Sequence, residues 1–97
     1  MTFHPHSEQR GRSTPVESGY HPQFCYGGVC WSAVHTYIDA DAVHPGQTVR
    51  AYLTFLSNLE YHLARIDVGM EFTVQEGSRE IASGRVLGVP ARGGASS

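Results

Sequence analysis

Between Thr48 and Leu56 the chain alternates without a break: Val49, Ala51, Leu53 and Phe55 on one side, Thr48, Arg50, Tyr52 and Thr54 on the other. A period of two is what a pleated strand with one buried face requires, whereas helical apolar positions recur every three or four residues. His44-Pro-Gly-Gln47 supplies the turn into it: Pro45 presets φ at the first corner and Gly46 accepts a positive φ at the second. The strand before that turn is Val29 to Ile38. A second alternation sets Met70, Phe72 and Val74 against Glu71, Thr73 and Gln75, then passes through Glu76-Gly-Ser-Arg79 into Ile81 to Val89. This predicts a β-hairpin with Gly77 at the positive-φ position. Gly84 and Gly88 in its last strand suggest the bends or bulges that curved barrels use. No helical periodicity is sustained, so the expected fold class is all-β.

One stretch is ambiguous. Asn58 to Ile66 places Leu59, His62, Leu63 and Ile66 at a spacing compatible with about two turns of helix or with a long loop. The irregular reading is favoured, because so short a helix is marginal alone and its flanks read as strands. Residues 1–10 are polar, with Pro5, and are expected to be a flexible segment; 90–97 are mostly Gly, Ala and Ser, and are expected to be a disordered tail. That leaves one domain over 11–89, and 97 residues allow one core.

Charge narrows the function. The seven cations are all Arg, there is no Lys, and nine carboxylates give a formal net charge of −2, so no global field attracts a phosphate backbone. Absence of Lys excludes a P-loop nucleotide site and Schiff-base chemistry, and the expectation is a chain that is not an enzyme. The N-terminus lacks the apolar run of a signal peptide and no stretch approaches a membrane span, which predicts a cytoplasmic protein. In that reducing compartment Cys25 and Cys30 are expected as free, buried thiols. Cys25, Cys30, His21 and His35 offer ligand types zinc accepts, with His4 and His6 further off, but Cys25 and Cys30 bracket Tyr26-Gly-Gly-Val29 with no second pair, so no metal and no cofactor are expected. Tyr20, Phe24, Tyr26, Trp31, Tyr37, Tyr52 and Phe55 are expected to pack the barrel rather than stack bases, given so few cations.

Two segments, Gly11-Arg-Ser-Thr-Pro-Val-Glu-Ser-Gly-Tyr-His-Pro-Gln-Phe24 and Gly69-Met-Glu-Phe-Thr-Val-Gln-Glu-Gly-Ser-Arg-Glu-Ile-Ala-Ser-Gly-Arg-Val-Leu87, flank the Pro45-Gly46-Gln47 turn. In that order they resemble the C-terminal β-barrel domain of elongation factor Tu, with its GR-x-TP-x-x-x-GYRPQF segment, PGD turn and GLRFAIREGGRTVGAG-type hairpin. The resemblance covers about Gly11 to Val89. It implies a small antiparallel β-barrel of about six strands, a non-catalytic binding module, and aminoacyl-tRNA, a GTPase domain or elongation factor Ts as partners.

Carried over by position, it implies RNA-binding roles for Gln23, Ser32, Glu76 and Gly77, whose hydrogen-bonding groups and close backbone suit RNA read by shape. Turn and strand chemistry alone also account for Ser32, Glu76 and Gly77. His21 and Gln75 replace Arg of the family, which implies a weaker tRNA contact. The family's first full strand has only Met1 to Arg10 to supply it here, with Pro5 unable to donate a ladder hydrogen bond, so the barrel is expected to close incompletely. An open edge would invite strand addition from a partner or a second copy. Two other readings stand beside the binding module: a homo-oligomeric or regulatory interaction domain without RNA binding, and a small metal-binding or redox protein using Cys25 and Cys30.

Overall fold

The computed structural model describes residues 1–57 and 59–89; the predicted tail over 90–97 and Asn58 lie outside the described residues. Among the described residues eight strands and one short helix succeed one another as β1 (Thr2–Phe3), β2 (Val16–Glu17), β3 (Gln23–Tyr26), β4 (Val29–Tyr37), β5 (Ala42–Val43), β6 (Ala51–Phe55), α1 (Leu59–Leu63), β7 (Glu71–Glu76) and β8 (Arg79–Arg85). Six of them make one antiparallel sheet in the order β1-β8-β7-β3-β4-β6, curled into an incompletely closed half-barrel. A two-stranded ladder, β2 with β5, buries Val16 opposite Val43. The expected all-β barrel of about six strands is what forms.

The alternating residues divide between core and surface as their period requires. On β7, Phe72 and Val74 point into the core while Thr73 and Gln75 face outward; on β6, Ala51, Leu53 and Phe55 pack against the core while Tyr52 is 68% exposed. Tyr52 is thus the exception among the aromatics expected inside. Phe24 stacks on Phe72 at 4.5 Å and meets Phe55 edge-on at 5.3 Å, geometries that add to their area burial. Both expected turns hold their glycines at positive φ, Gly46 at 90° and Gly77 at 59°.

Four expectations need correction. Residues 1–10, expected as a flexible segment, supply β1: Phe3 is 3% exposed, and Thr2 and Phe3 pair with Ser83 and Ala82. Pro5 does no harm because β1 ends before it, and Arg79 anchors the next stretch of chain by donating to the carbonyls of Ser7, Glu8 and Gly11. Leu59 to Leu63, favoured as irregular, is helical. Packing rather than propensity holds it: the His62 ring stacks on Phe55 at 3.8 Å and bonds the Tyr26 hydroxyl at 2.7 Å. The last strand does carry a bulge, but at Ile81, where the register shifts opposite Val74 and Gln75, and not at Gly84. Gly84 instead lets the Phe72 ring cross the strand, since a Cβ there would sit 2.5 Å from Phe72 Cζ. Finally, the last strand ends at Arg85 rather than running to Val89.

Candidate functional site

Tyr26 and Val29 pair across the two-residue turn Gly27-Gly28, whose φ values of 58° and 83° are those of a type I′ turn. The closing pair of such a turn is hydrogen-bonded, so the next pair outward, Cys25 with Cys30, occupies the close non-hydrogen-bonded position, with Cα atoms 4.0 Å apart. The two sulfurs are joined in a disulfide, and no free cysteine is present. The expectation of free thiols is therefore overturned, and the sequence contained the reason. Two glycines between β-favouring residues set the turn type, the turn type sets the register, and the register brings the two Cβ atoms together.

The linked residues differ in access: Cys25 is 7% exposed, on the outer side of a central strand, whereas Cys30 is exposed. Both line a groove of about 860 Å³ on the outer face. Its floor is a transverse row in which Cys30 pairs with Cys25, Cys25 with Thr73, Thr73 with Ser83 and Ser83 with Thr2. Thr2 Oγ1 in turn shares a 2.9 Å hydrogen bond with Thr48 Oγ1. One end of the groove is thus a disulfide, and Thr2, Thr73 and Ser83 place hydroxyls along its floor, with Glu71 and Arg85 at its side. With both sulfurs bonded to each other, neither is a thiolate ligand; among the described residues no group of three or more His, Cys, Asp or Glu is placed to hold a metal.

The residues singled out by the resemblance come together in part. Gln23 pairs directly with Ser32 on one side and with Gln75 on the other, two residues along β3 from Cys25. Gln23, Glu76 and Gly77 line a second groove, of about 410 Å³, with Tyr20 and His21; Ser32 is outside its lining. The Glu76 carboxylate is already engaged, accepting hydrogen bonds from Arg12 Nη1 and the Tyr20 hydroxyl. Burial, and then the Glu76 carboxylate, push the Tyr20 hydroxyl well above its ordinary pKa, so it remains a donor at any physiological pH. The Arg12 guanidinium also lies 5.1 Å over the Tyr20 ring. This Arg12–Tyr20–Glu76 cluster was not foreseen from spacing, because its members come together only when residues 12, 20 and 76 meet across the fold.

Two buried histidines lie outside both grooves. His35 is fully buried, its Nδ1 bonded to the Tyr37 hydroxyl at 2.9 Å, and burial pushes its pKa down to about 4. His62 is lowered too, by burial first and by Arg65 second. Nε2 of each is buried without a partner among the described residues, which disfavours the charged form of both rings. His35, weighed from sequence beside Cys25 and Cys30, serves the core.

No family model matches the chain. Among the described residues no helix is long and apolar enough to cross a membrane.

Proposed function

We propose that the chain is a small redox-responsive β-barrel domain whose functional element is the Cys25–Cys30 couple. The observation that carries this is the asymmetry of the pair: an exposed Cys30 and a nearly buried Cys25, joined at one end of the outer groove. An incoming thiolate attacks Cys30 Sγ, the S–S bond breaks, and Cys25 leaves as a thiolate that takes up a proton. A second thiolate then displaces Cys30 from the mixed disulfide. The net change is one disulfide and two thiols converted to one dithiol and one external disulfide. Burial disfavours the leaving Cys25 thiolate, so the couple acts as a slow stoichiometric switch rather than a turnover catalyst.

The test is equilibration in glutathione buffers of graded potential, followed by acid quench, maleimide labelling and mass spectrometry, with circular dichroism on the same samples. The expected result is a single two-electron transition within a folded protein, with the trapped mixed disulfide on Cys30. Thiols that appear only once the chain is unfolded by guanidinium would make the bond a structural staple and end this reading.

A second reading draws on the resemblance to the C-terminal domain of elongation factor Tu. On that reading the domain contacts aminoacyl-tRNA, a GTPase domain or elongation factor Ts through Gln23, Ser32, Glu76 and Gly77. It is favoured by the shared groove of Gln23, Glu76 and Gly77 and by the direct pairing of Gln23 with Ser32. Retardation of aminoacyl-tRNA that weakens steeply with salt and is lost in Gln23→Ala supports it; no shift at low salt removes it.

A further inference from the structure

Helix α1 packs against three strands, and a single side chain reaches all of them. His62 is fully buried, although Tyr61 and Arg65 beside it are exposed. Its ring stacks on Phe55 of β6 at 3.8 Å, with the planes 11° apart, and meets Trp31 of β4 edge-on at 4.7 Å. Its Nδ1 bonds the hydroxyl of Tyr26 on β3 at 2.7 Å. A helix of five residues has little stability of its own, so it stays in place through this imidazole and through Ile66, buried just beyond its end.

That position suits a neutral ring and not a charged one. A protonated imidazole carries an N–H on both nitrogens. At Nδ1 the Tyr26 hydroxyl can turn from donor to acceptor, but Nε2 is buried without a partner among the described residues. The charge that bears on the ring is Arg65, whose guanidinium lies 3.5 Å over the Tyr61 ring and donates to the Tyr61 carbonyl at 3.0 Å. It already takes the cation's place on these aromatic faces and repels a second cation. The titratable groups whose rings face His62 are Tyr26 from β3 and Tyr61 from α1, and burial keeps the Tyr26 hydroxyl protonated. Phe55 and Trp31 bring no charge from β6 and β4, and Glu60 on α1 is exposed to solvent.

We propose that His62 is a pH-operated latch: protonation of its ring releases α1 from β3, β4 and β6 while the sheet stays folded. Release gives both ring N–H groups water to bond and uncovers Phe55 and Trp31, the only Trp of the chain. The sheet does not hang on the same ring. Its ladders join β3 to β4 and β7 directly, and the Phe24–Phe72 stack lies among strands alone. Burial, and then Arg65, hold the docked imidazole below its ordinary pKa, so the released segment binds the proton more tightly. Docking is therefore complete above about pH 6.5 and weakens as pH falls below it. One proton is taken up, so the released population rises by at most about tenfold per pH unit.

The test is amide hydrogen exchange of the isotope-labelled chain from about pH 7.5 down to about pH 4.5, corrected for intrinsic exchange, at two buried residues. Ile66 N–H donates to the His62 carbonyl at 2.9 Å and reports α1; Ala33 N–H donates to the Pro22 carbonyl at 3.2 Å and reports the sheet. Protection at Ile66 should be the lower of the two and should fall by up to about tenfold per pH unit below about pH 6.5. His62→Phe keeps a ring against Phe55 and removes the titration, so protection at Ile66 should no longer follow pH. Arg65→Gln, on an exposed position, removes the repelling charge and should move the loss of protection to lower pH. Equal protection at Ile66 and Ala33 at every pH would mean that α1 opens only with the whole sheet, and would overturn the proposal. So would protection at Ile66 that ignores pH in the unaltered chain, or a pH response that survives His62→Phe. Should that variant not fold, an unchanged pH response in Arg65→Gln overturns it instead.

Discussion

At the residue scale the sharpest constraint is Gly84. Its missing side chain is the space that the end of the Phe72 ring occupies, and that ring is held in place by its stacking on Phe24. Gly84→Ala is expected to cost about 1–3 kcal/mol, the usual penalty of overpacking, read as a lower urea midpoint with unchanged slope. His35 sets the pH dependence. Its folded pKa of about 4 lies below the ordinary imidazole value, so between the two the unfolded chain binds the extra proton. Stability should be complete above about pH 6.5, fall as pH drops from there towards 4, and lose on the order of 3 kcal/mol from this residue. His62 is shifted the same way and steepens the fall. Urea midpoints across that range check both, and a flat profile would contradict the burial of neutral rings. Neither glycine nor histidine was legible at this level, because both effects depend on what the fold brings against them.

At the element scale local chemistry was readable and long-range packing was not. The Pro45-Gly46 turn, the Gly77 hairpin and the alternations of β6 and β7 arise from φ preferences and a two-residue period, although β6 is confined to Ala51–Phe55 rather than running from Thr48 to Leu56. Helix α1 was not readable in this way, since its support comes from Phe55, Tyr26 and Trp31, which lie on strands outside the helical segment. The β2–β5 ladder escaped for a related reason: two residues a side carry no period. The disulfide was legible in principle from Gly27-Gly28 and missed by treating the two cysteines as isolated thiols. Because the closed loop spans a separation of only 5, replacing both cysteines with Ser should lower stability by roughly 2 kcal/mol and leave the type I′ turn in place. Thermal denaturation gives the first, and cross-strand contacts between Tyr26 and Val29 in the nuclear Overhauser spectrum give the second.

At the scale of the whole molecule the sheet order was beyond sequence reasoning, apart from the barrel that the family resemblance implied, and so was the use of the first three residues. Phe3 packs edge-on against Tyr37 and is nearly fully buried, so Phe3→Ala should remove about 3–5 kcal/mol, read by calorimetry. That is a large share of the stability a domain of this size possesses. The pairing of β1 with β8 also fixes an order of events. The strand synthesised first finds its partner in the one synthesised last, and most of the close approaches in the fold join positions far apart in the chain. Until Ala82 and Ser83 are in place Thr2 and Phe3 have no edge to pair with, so β1 docks late and the domain folds in the slow, millisecond-to-second regime of non-local β topologies.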